Sequence, residues 1–254
     1  MCLSEAKGMD IKMKKVFCLV GSRRKNGNTA YFIKNICDKL SPQNFEIEWG
    51  FPQDFRIDSC MGCNRCFAET KCIYDDDINL LQRKTLESDI LIIASPVYLH
   101  YMTGDLKLIL DRFAWWAHTL RLQGKPVVVL STCSTNGTKT VIEPLSNLIT
   151  YMGGNVIATA NAAEIPNQIN NKEWMEKVTN EISERIKYHS NKLPQSNPYI
   201  EKVFAITKPI MEQQLILGDE YKEGQYWKET GMIQYKTFQE YLEAIQKKGV
   251  DMGN

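Results

Sequence analysis

The sequence has almost no net charge and no long apolar run. Its 31 basic and 30 acidic side chains give a formal charge of +1 over 254 residues, without the basic excess of a dedicated nucleic-acid-binding protein. The apolar runs have the length of a strand, well short of the roughly 18 residues of a membrane-spanning helix. The N-terminal residues also lack the apolar stretch of roughly 7–15 residues that marks a secretory signal. These absences predict a cytoplasmic protein with no membrane or nucleic-acid partner.

Motifs of several common enzyme classes are missing as well. The sequence contains neither the GxxxxGKS/T pattern of nucleoside triphosphatases nor the GxGxxG pattern of dinucleotide-binding folds. Its three histidines fit neither a Ser-His-Asp triad nor a zinc-protease motif. We therefore predict neither a nucleoside triphosphatase nor a Rossmann dinucleotide site, and neither a catalytic triad nor a zinc-protease site.

Over residues 14–190 the sequence alternates between two periodicities. Five short apolar segments suit strands, and between them apolar residues recur every three or four positions, as on one face of a helix. The alternation predicts an α/β fold, a flavodoxin-like doubly wound five-stranded parallel sheet with strand order 2-1-3-4-5. The strand-like segments are Val16–Val20, Phe45–Trp49, Asp89–Ala94, Pro126–Leu130 and Asn155–Ala160.

Two further parts flank this region. We expect residues 1–13 to form an N-terminal extension and residues 191–254 to form a linker and a helical C-terminal arm. Apolar helical faces at Ile200–Met211 and Phe238–Ile245 have no strand partner, so they must cover the parent domain, a second subunit or a ligand. On this basis we predict a homodimer or homotetramer.

Three successive aspartates open a helical pattern that runs to Ser88. Asp75, Asp76 and Asp77 could suggest a metal or acid–base site, but carboxylates are favoured in a first helical turn, where they cap free N–H groups. We interpret them as helix caps.

Loops whose residues could bind a ligand follow the first, third and fourth strands, at the sheet edge where open parallel sheets bind ligands. Residues 21–29 combine hydroxyls, an amide and three cations directly before a helix, an arrangement that favours a terminal phosphate. Residues 95–101 place aromatic side chains beside Pro96, where a flat ligand could lie. Residues 131–138 are small and allow a close approach of the backbone.

Four of the eight cysteines lie within thirteen residues. Cys60, Cys63, Cys66 and Cys72 are spaced so that the chain could wrap around a small ion or cluster. Structural zinc usually has two cysteine pairs separated by a longer loop, so this spacing suits an iron–sulfur cluster better. Zinc and free thiols remain alternatives.

Together these motifs resemble the flavodoxin-like NAD(P)H-dependent FMN reductases and, more narrowly, the iron–sulfur flavoprotein subgroup. The segments that carry the resemblance are GSRRKNGNT, the cysteine segment running into CIYDDDI, SPVYLHYMTGDLKLILDR and STCSTNG. The resemblance covers residues 14–190 and implies FMN as cofactor, with a [4Fe–4S] cluster on the four cysteines. It implies phosphate binding by Ser22, Arg24, Gly27, Asn28 and Thr29, ring contacts by Ser95, Pro96, Val97 and Tyr98, and a ring edge near Thr132 and Gly137.

The predicted function is that of an FMN-dependent oxidoreductase. Electrons would pass from NAD(P)H through FMN, with the cluster if it is present, to a quinone, nitroaromatic or redox-protein acceptor. The flavin supplies the chemistry, so we predict no catalytic side chain. The alternatives are a non-enzymatic electron carrier like flavodoxin and a thiol or zinc redox-sensing module.

Overall fold

A computed structural model describes residues 13–218 and 222–251 of the chain. The predicted N-terminal extension therefore lies outside the described residues except for Met13. No helix in the described ranges is long and apolar enough to cross a membrane.

A five-stranded parallel sheet with order β2-β1-β3-β4-β5 forms the centre of the protein, which confirms the predicted fold. The three inner strands are almost wholly buried because helices cover both of their faces. The last two strands run three residues further than predicted. The strands are β1 (Lys14–Val20), β2 (Phe45–Gly50), β3 (Ile90–Pro96), β4 (Pro126–Cys133) and β5 (Asn155–Ala163).

Helices cover the two faces of the sheet in separate apolar layers. The first and seventh helices pack on one face, and the third to sixth pack on the other. The helices are α1 (Asn28–Cys37), α2 (Arg65–Glu69), α3 (Ile78–Glu87), α4 (Gly104–Asp111), α5 (Ala114–Thr119), α6 (Thr138–Tyr151), α7 (Lys172–Ser190), α8 (Pro198–Leu217), α9 (Lys222–Glu229) and α10 (Phe238–Asp251).

Two of the three aspartates before α3, Asp76 and Asp77, accept hydrogen bonds from N–H groups of the preceding loop. Helix α3 begins at Ile78, three residues after the predicted start. Asp76 does accept a hydrogen bond from the N–H of Ile78, but its carboxylate also forms a buried ion pair with Arg112. Asp77 accepts from the N–H of Arg56. The capping interpretation was therefore wrong for Asp77 and incomplete for Asp76.

The apolar faces of the C-terminal arm are only partly buried within the chain. Ile200, Phe204 and Phe238 form one cluster, mostly of arm residues, that also includes Leu120 from the end of α5. Ile210, on the same predicted face, is 51% exposed. The predicted homodimer or homotetramer rested on these faces and stays a prediction.

A histidine joins the arm to the cysteine segment. His118 on α5 stacks on Phe67 of α2 at 5.1 Å between ring centroids, and its Nδ1 lies 3.0 Å from both carboxylate oxygens of the buried Glu223 on α9. Trp227 donates from Nε1 to the carbonyl oxygen of His118 at 2.8 Å. Helix α9 therefore supports α2, the helix that carries Cys66.

This contact gives the stability of the protein a pH dependence. The hydrogen bond to Glu223 raises the pKa of His118 above 6.5, so protonated His118 stabilises the fold below that pH, and the contribution disappears as the pH rises through the raised pKa. We expect the excess unfolding free energy of the wild type over His118→Gln, measured in urea titrations, to be largest below pH 6.5 and to shrink as the pH rises through the raised pKa.

The matched control is His189→Gln. Burial, together with Lys192 and Arg185, lowers the pKa of His189, so the difference between wild type and this variant should grow with rising pH. If the two differences change with pH in the same direction, one of the two assignments is wrong.

Candidate functional site

A cavity of about 130 Å³ opens at the carboxyl ends of the central strands, and we call it the phosphate-loop cavity. All the residues predicted to bind the cofactor line it except Ser95 and Gly137. Its lining consists of Ser22, Arg24, Gly27, Asn28, Thr29, Pro96, Val97, Tyr98, Thr132, Cys133, Ser134 and Glu164.

Three consecutive cations, Arg23, Arg24 and Lys25, lie in the loop after β1. Only the middle one, Arg24, lines the cavity. Arg23 forms a forked pair with Asp105, with distances of 2.8 and 2.9 Å. Lys25 pairs with Asp54 at 2.7 Å. Arg24 is thus the one of the three that is placed to meet an anion in the cavity.

The N-terminus of α1 faces the same cavity without a side-chain cap. Its N-cap residue is Gly27, which has no side chain to accept from the first N–H groups of the helix. Uncapped N–H groups and the positive end of the helix dipole form an anion-binding site. Beside them the hydroxyls of Thr29 and Thr132 share a buried hydrogen bond of 2.7 Å. These donors, with Arg24, suit a phosphate.

Ser95 and Gly137, the two predicted residues that do not line the cavity, contact or make room for residues that do. The hydroxyl of buried Ser95 donates to the carbonyl oxygen of Pro96 and accepts from the N–H of Thr103. Gly137 begins α6 with φ of +84°, and a Cβ there would lie 2.5 Å from Cγ1 of Val97. Ser95 therefore fixes the β3 loop, and Gly137 leaves room for Val97.

The rim of the cavity is a tight turn between Tyr98 and Tyr101, which form an antiparallel bridge. Both turn residues have positive φ, 46° at Leu99 and 60° at His100, a conformation that costs non-glycine residues energy. Leu99 is 97% exposed and Tyr98 56% exposed. The turn thus holds apolar and aromatic surface open to solvent beside the cavity.

Glu164 is a lining residue that the sequence analysis missed. It directly follows β5, and its Oε1 accepts from the amide of Asn28 at 2.6 Å. The predicted fifth strand ended at Ala160, so residue 164 did not stand out as a strand end. Extending the strand through Asn161 to Ala163 would have placed a carboxylate at the ligand-binding edge.

A second cavity of about 370 Å³ contains the four clustered cysteines, and we call it the cysteine cavity. Burial, and then proximity to Cys72, Cys60 and Cys63, raises the pKa of the Cys66 thiol to about 11. All seven cysteines of the described residues are free. The cavity is lined by Cys60, Met61, Gly62, Cys63, Asn64, Cys66, Phe67, Cys72, Ile73, Tyr74, Asp111, Arg112 and Ala114.

The donor set of this cavity fits an anionic group held by sulfur. Among the described residues, no group of three or more His, Cys, Asp or Glu side chains is placed to hold a metal ion. All four cysteines of the segment nevertheless line the cavity, and four thiolates are the ligand set that an iron–sulfur cluster takes. Arg112 donates from Nη2 to Sγ of Cys72 at 3.2 Å, and its buried Nε finds no partner in the part of the chain described.

One helix connects the two cavities. At the start of α4, Thr103 donates from its hydroxyl to the carbonyl oxygen of Gly21, in the loop that follows β1. At its other end, Arg112 enters the cysteine cavity. A helix of 8 residues is about 12 Å long, so the two sites are neighbours on one rigid element.

Comparison with known proteins gives consistent results. The model of the NADPH-dependent FMN reductase family matches residues 14–167. An iron–sulfur flavoprotein of Archaeoglobus fulgidus is 35% identical over 44% of this chain and 50% of its own length. Another from Methanocaldococcus jannaschii is 30% identical over 52% of this chain and 70% of its own length.

The chain thus spans half of the first relative's length and seven tenths of the second's. Among solved structures, RosB with a bound riboflavin-phosphate-derived intermediate has a TM-score of 0.61 at 18% identity. That match covers 79% of this chain and 87% of the other, and it shows a shared fold.

Proposed function

The chain belongs to the NADPH-dependent FMN reductase family and, within it, to the iron–sulfur flavoproteins, and we propose that it transfers electrons from NAD(P)H through bound FMN to an acceptor. Bound FMN supplies hydride and electron transfer. The observation that carries the proposal is the uncapped N-terminus of α1, which faces a cavity beside Arg24. The acceptor we propose is a quinone, a nitroaromatic compound or a redox protein.

The residues of the phosphate-loop cavity would divide the work of binding. Arg24, Ser22 and the N–H groups of α1 would hold the phosphate, since charge-assisted hydrogen bonds to phosphate are the strongest available here. Pro96, Val97 and Tyr98 would contact the ring. The Glu164 carboxylate can accept hydrogen bonds from the ribityl hydroxyls. No side chain is needed as nucleophile or proton donor.

We further propose that the four cysteines hold a [4Fe–4S] cluster. An iron–sulfur cluster exchanges single electrons. It would therefore allow one-electron acceptors to be reduced with electrons from NAD(P)H, a two-electron donor. Cys60, Cys63, Cys66 and Cys72 would ligate it, and α4 would keep it at a fixed distance from the flavin. Zinc or free thiols are the competing occupancies, and iron, sulfide and zinc assays on the anaerobically purified protein distinguish them.

The proposed activity has a direct test. Heating the purified protein should release riboflavin phosphate, and steady-state assays should show NADPH or NADH oxidation with an artificial acceptor. Flavin without turnover would indicate an electron carrier instead. If no flavin is released and none binds when it is added, the proposal fails.

The three loop cations allow a sharper test of the phosphate site. Arg24→Ala removes a charge-assisted hydrogen bond worth about 1.5–3 kcal/mol, so FMN should bind roughly 10- to 100-fold more weakly. Lys25→Ala is the matched control, because Lys25 already pairs with Asp54. Its FMN affinity, measured by flavin fluorescence quenching, should stay near the wild-type value. Equal losses in both variants would contradict the assignment.

A further inference from the structure

Arg112 is a buried cation under the cysteine segment. Its side chain is 1% exposed, and so is that of its partner Asp76. Two of its nitrogens face the two carboxylate oxygens, at 2.7 Å from Nη1 and 3.1 Å from Nη2. Apolar residues of similar volume often replace such a pair at no cost in stability. A gain in stability from the ion pair alone therefore does not account for a buried charge at this position.

The remaining N–H groups of the guanidinium point to its role. Nη1 also donates to the carbonyl oxygen of Asp58 at 2.6 Å, and Nη2 donates to Sγ of Cys72 at 3.2 Å. A guanidinium has five N–H groups, so four are used and the buried Nε–H has no partner among the described residues. The ring of Tyr74 lies 4.5 Å from the guanidinium carbon. Hydrogen bonds and the Tyr74 ring thus hold the guanidinium of Arg112 in place, and one of its N–H groups is directed at Sγ of Cys72.

Cys72 differs in this respect from the cysteines at the other end of the segment. Cys60 and Cys63 are exposed, whereas Cys72 is half-buried beside a cation. A neutral thiol is a weak acceptor, and a buried charge-assisted donor is better matched by a sulfur that carries negative charge. A sulfur that ligates iron carries such charge.

We propose that Arg112 is a positioning residue that, through Cys72, raises the reduction potential of the iron–sulfur group held by the four cysteines. This inference rests on the proposed function. Uptake of one electron adds one negative charge to that group, and an N–H donor with a positive charge beside a ligating sulfur stabilises the added charge. Asp76 fixes the guanidinium and offsets part of its charge.

Two single substitutions should shift the potential in opposite directions. Arg112→Gln removes the cation and should make the midpoint potential more negative, whereas Asp76→Asn removes the opposing charge and should make it more positive. Arg112→Lys keeps the charge without the fork and should lie between Arg112→Gln and the wild type. Arg83→Gln, at an exposed arginine on α3, is the control and should not shift it.

The measurement is an anaerobic redox titration of the holoprotein followed by electron paramagnetic resonance, with iron, sulfide and FMN contents determined for each variant. Shifts of the same sign in Arg112→Gln and Asp76→Asn would mark a packing effect and overturn the proposal, as would unchanged potentials at full iron content. If Arg112→Gln loses its iron, the signs for Arg112→Lys and Asp76→Asn decide.

The flavin serves as an internal reference. A wild-type protein that binds FMN but takes up no iron and sulfide overturns the role of Arg112 and leaves the flavin proposal standing. If the protein takes up iron but binds no FMN, the proposed function is refuted. The opposite shifts of the midpoint potential in Arg112→Gln and Asp76→Asn can still be measured in that case.

Discussion

Replacing Trp227 with alanine is expected to lower the free energy of unfolding by about 3–5 kcal/mol, the usual cost of deleting a large buried aromatic side chain. Trp227 is 0% exposed and stacks on Phe204 at 5.1 Å between ring centroids. Its Nε1 also donates to the carbonyl oxygen of His118, so the substitution removes both packing in the arm and its link to α5. Urea-induced unfolding followed by circular dichroism measures the change.

The control is an aromatic residue on the outer side of the same arm. Tyr199 is 70% exposed, and its replacement by alanine should change stability by no more than about 0.5 kcal/mol. A Trp227→Ala variant as stable as Tyr199→Ala would mean that the arm does not pack on α5 as the structure shows.

A methyl group at residue 137 is expected to weaken FMN binding by about 10- to 100-fold. Gly137→Ala places a Cβ 2.5 Å from Cγ1 of Val97, so Val97 must move into the phosphate-loop cavity that it lines. Overpacking of this kind costs about 1–3 kcal/mol, and each 1.4 kcal/mol is about a tenfold change in affinity. Fluorescence titration of the apoprotein with FMN gives the dissociation constant.

Gly231→Ala, in the C-terminal arm and outside both cavities, separates the clash from the backbone effect. Gly231 also has positive φ, +76°, but nothing lies within 4 Å of a Cβ built there. Both variants should lose about 1–2 kcal/mol of stability from the left-handed backbone, and only Gly137→Ala should lose FMN affinity. Full affinity in Gly137→Ala would show that Val97 does not contact the cofactor.

The sheet was predictable because its inner strands are buried on both faces. Val16–Val20 and Pro126–Leu130 are continuous apolar runs, and few other structures bury such runs between helices. The ends of elements were less predictable, since they depend on tertiary partners. Asp76 illustrates this: its sequence context matches a helix cap, but its ion pair is with Arg112, 36 residues away along the chain.

The candidate sites divide in the same way. Residues 21–29 are a contiguous loop directly before a helix, so the sequence suffices to select this loop as a candidate anion-binding site, while Arg24 and Gly27 are singled out by the family resemblance. Glu164 and Arg112 come from distant elements and meet the sites only through the strand order and through α4. The sequence also contains no local signal that distinguishes Arg24 from Arg23 and Lys25, because their partners Asp105 and Asp54 lie elsewhere in the chain.

The support of α2 by α9 has a consequence for assembly during translation. The four thiols of the cysteine segment are complete once residue 72 has been synthesised, whereas the helix that packs behind α2 begins at Lys222. A nascent chain therefore presents its thiols for a long interval before His118 can meet Glu223. Under the proposed function, a cluster on these thiols would form before α9 docks, and the docking of α9 would then fix the position of α2.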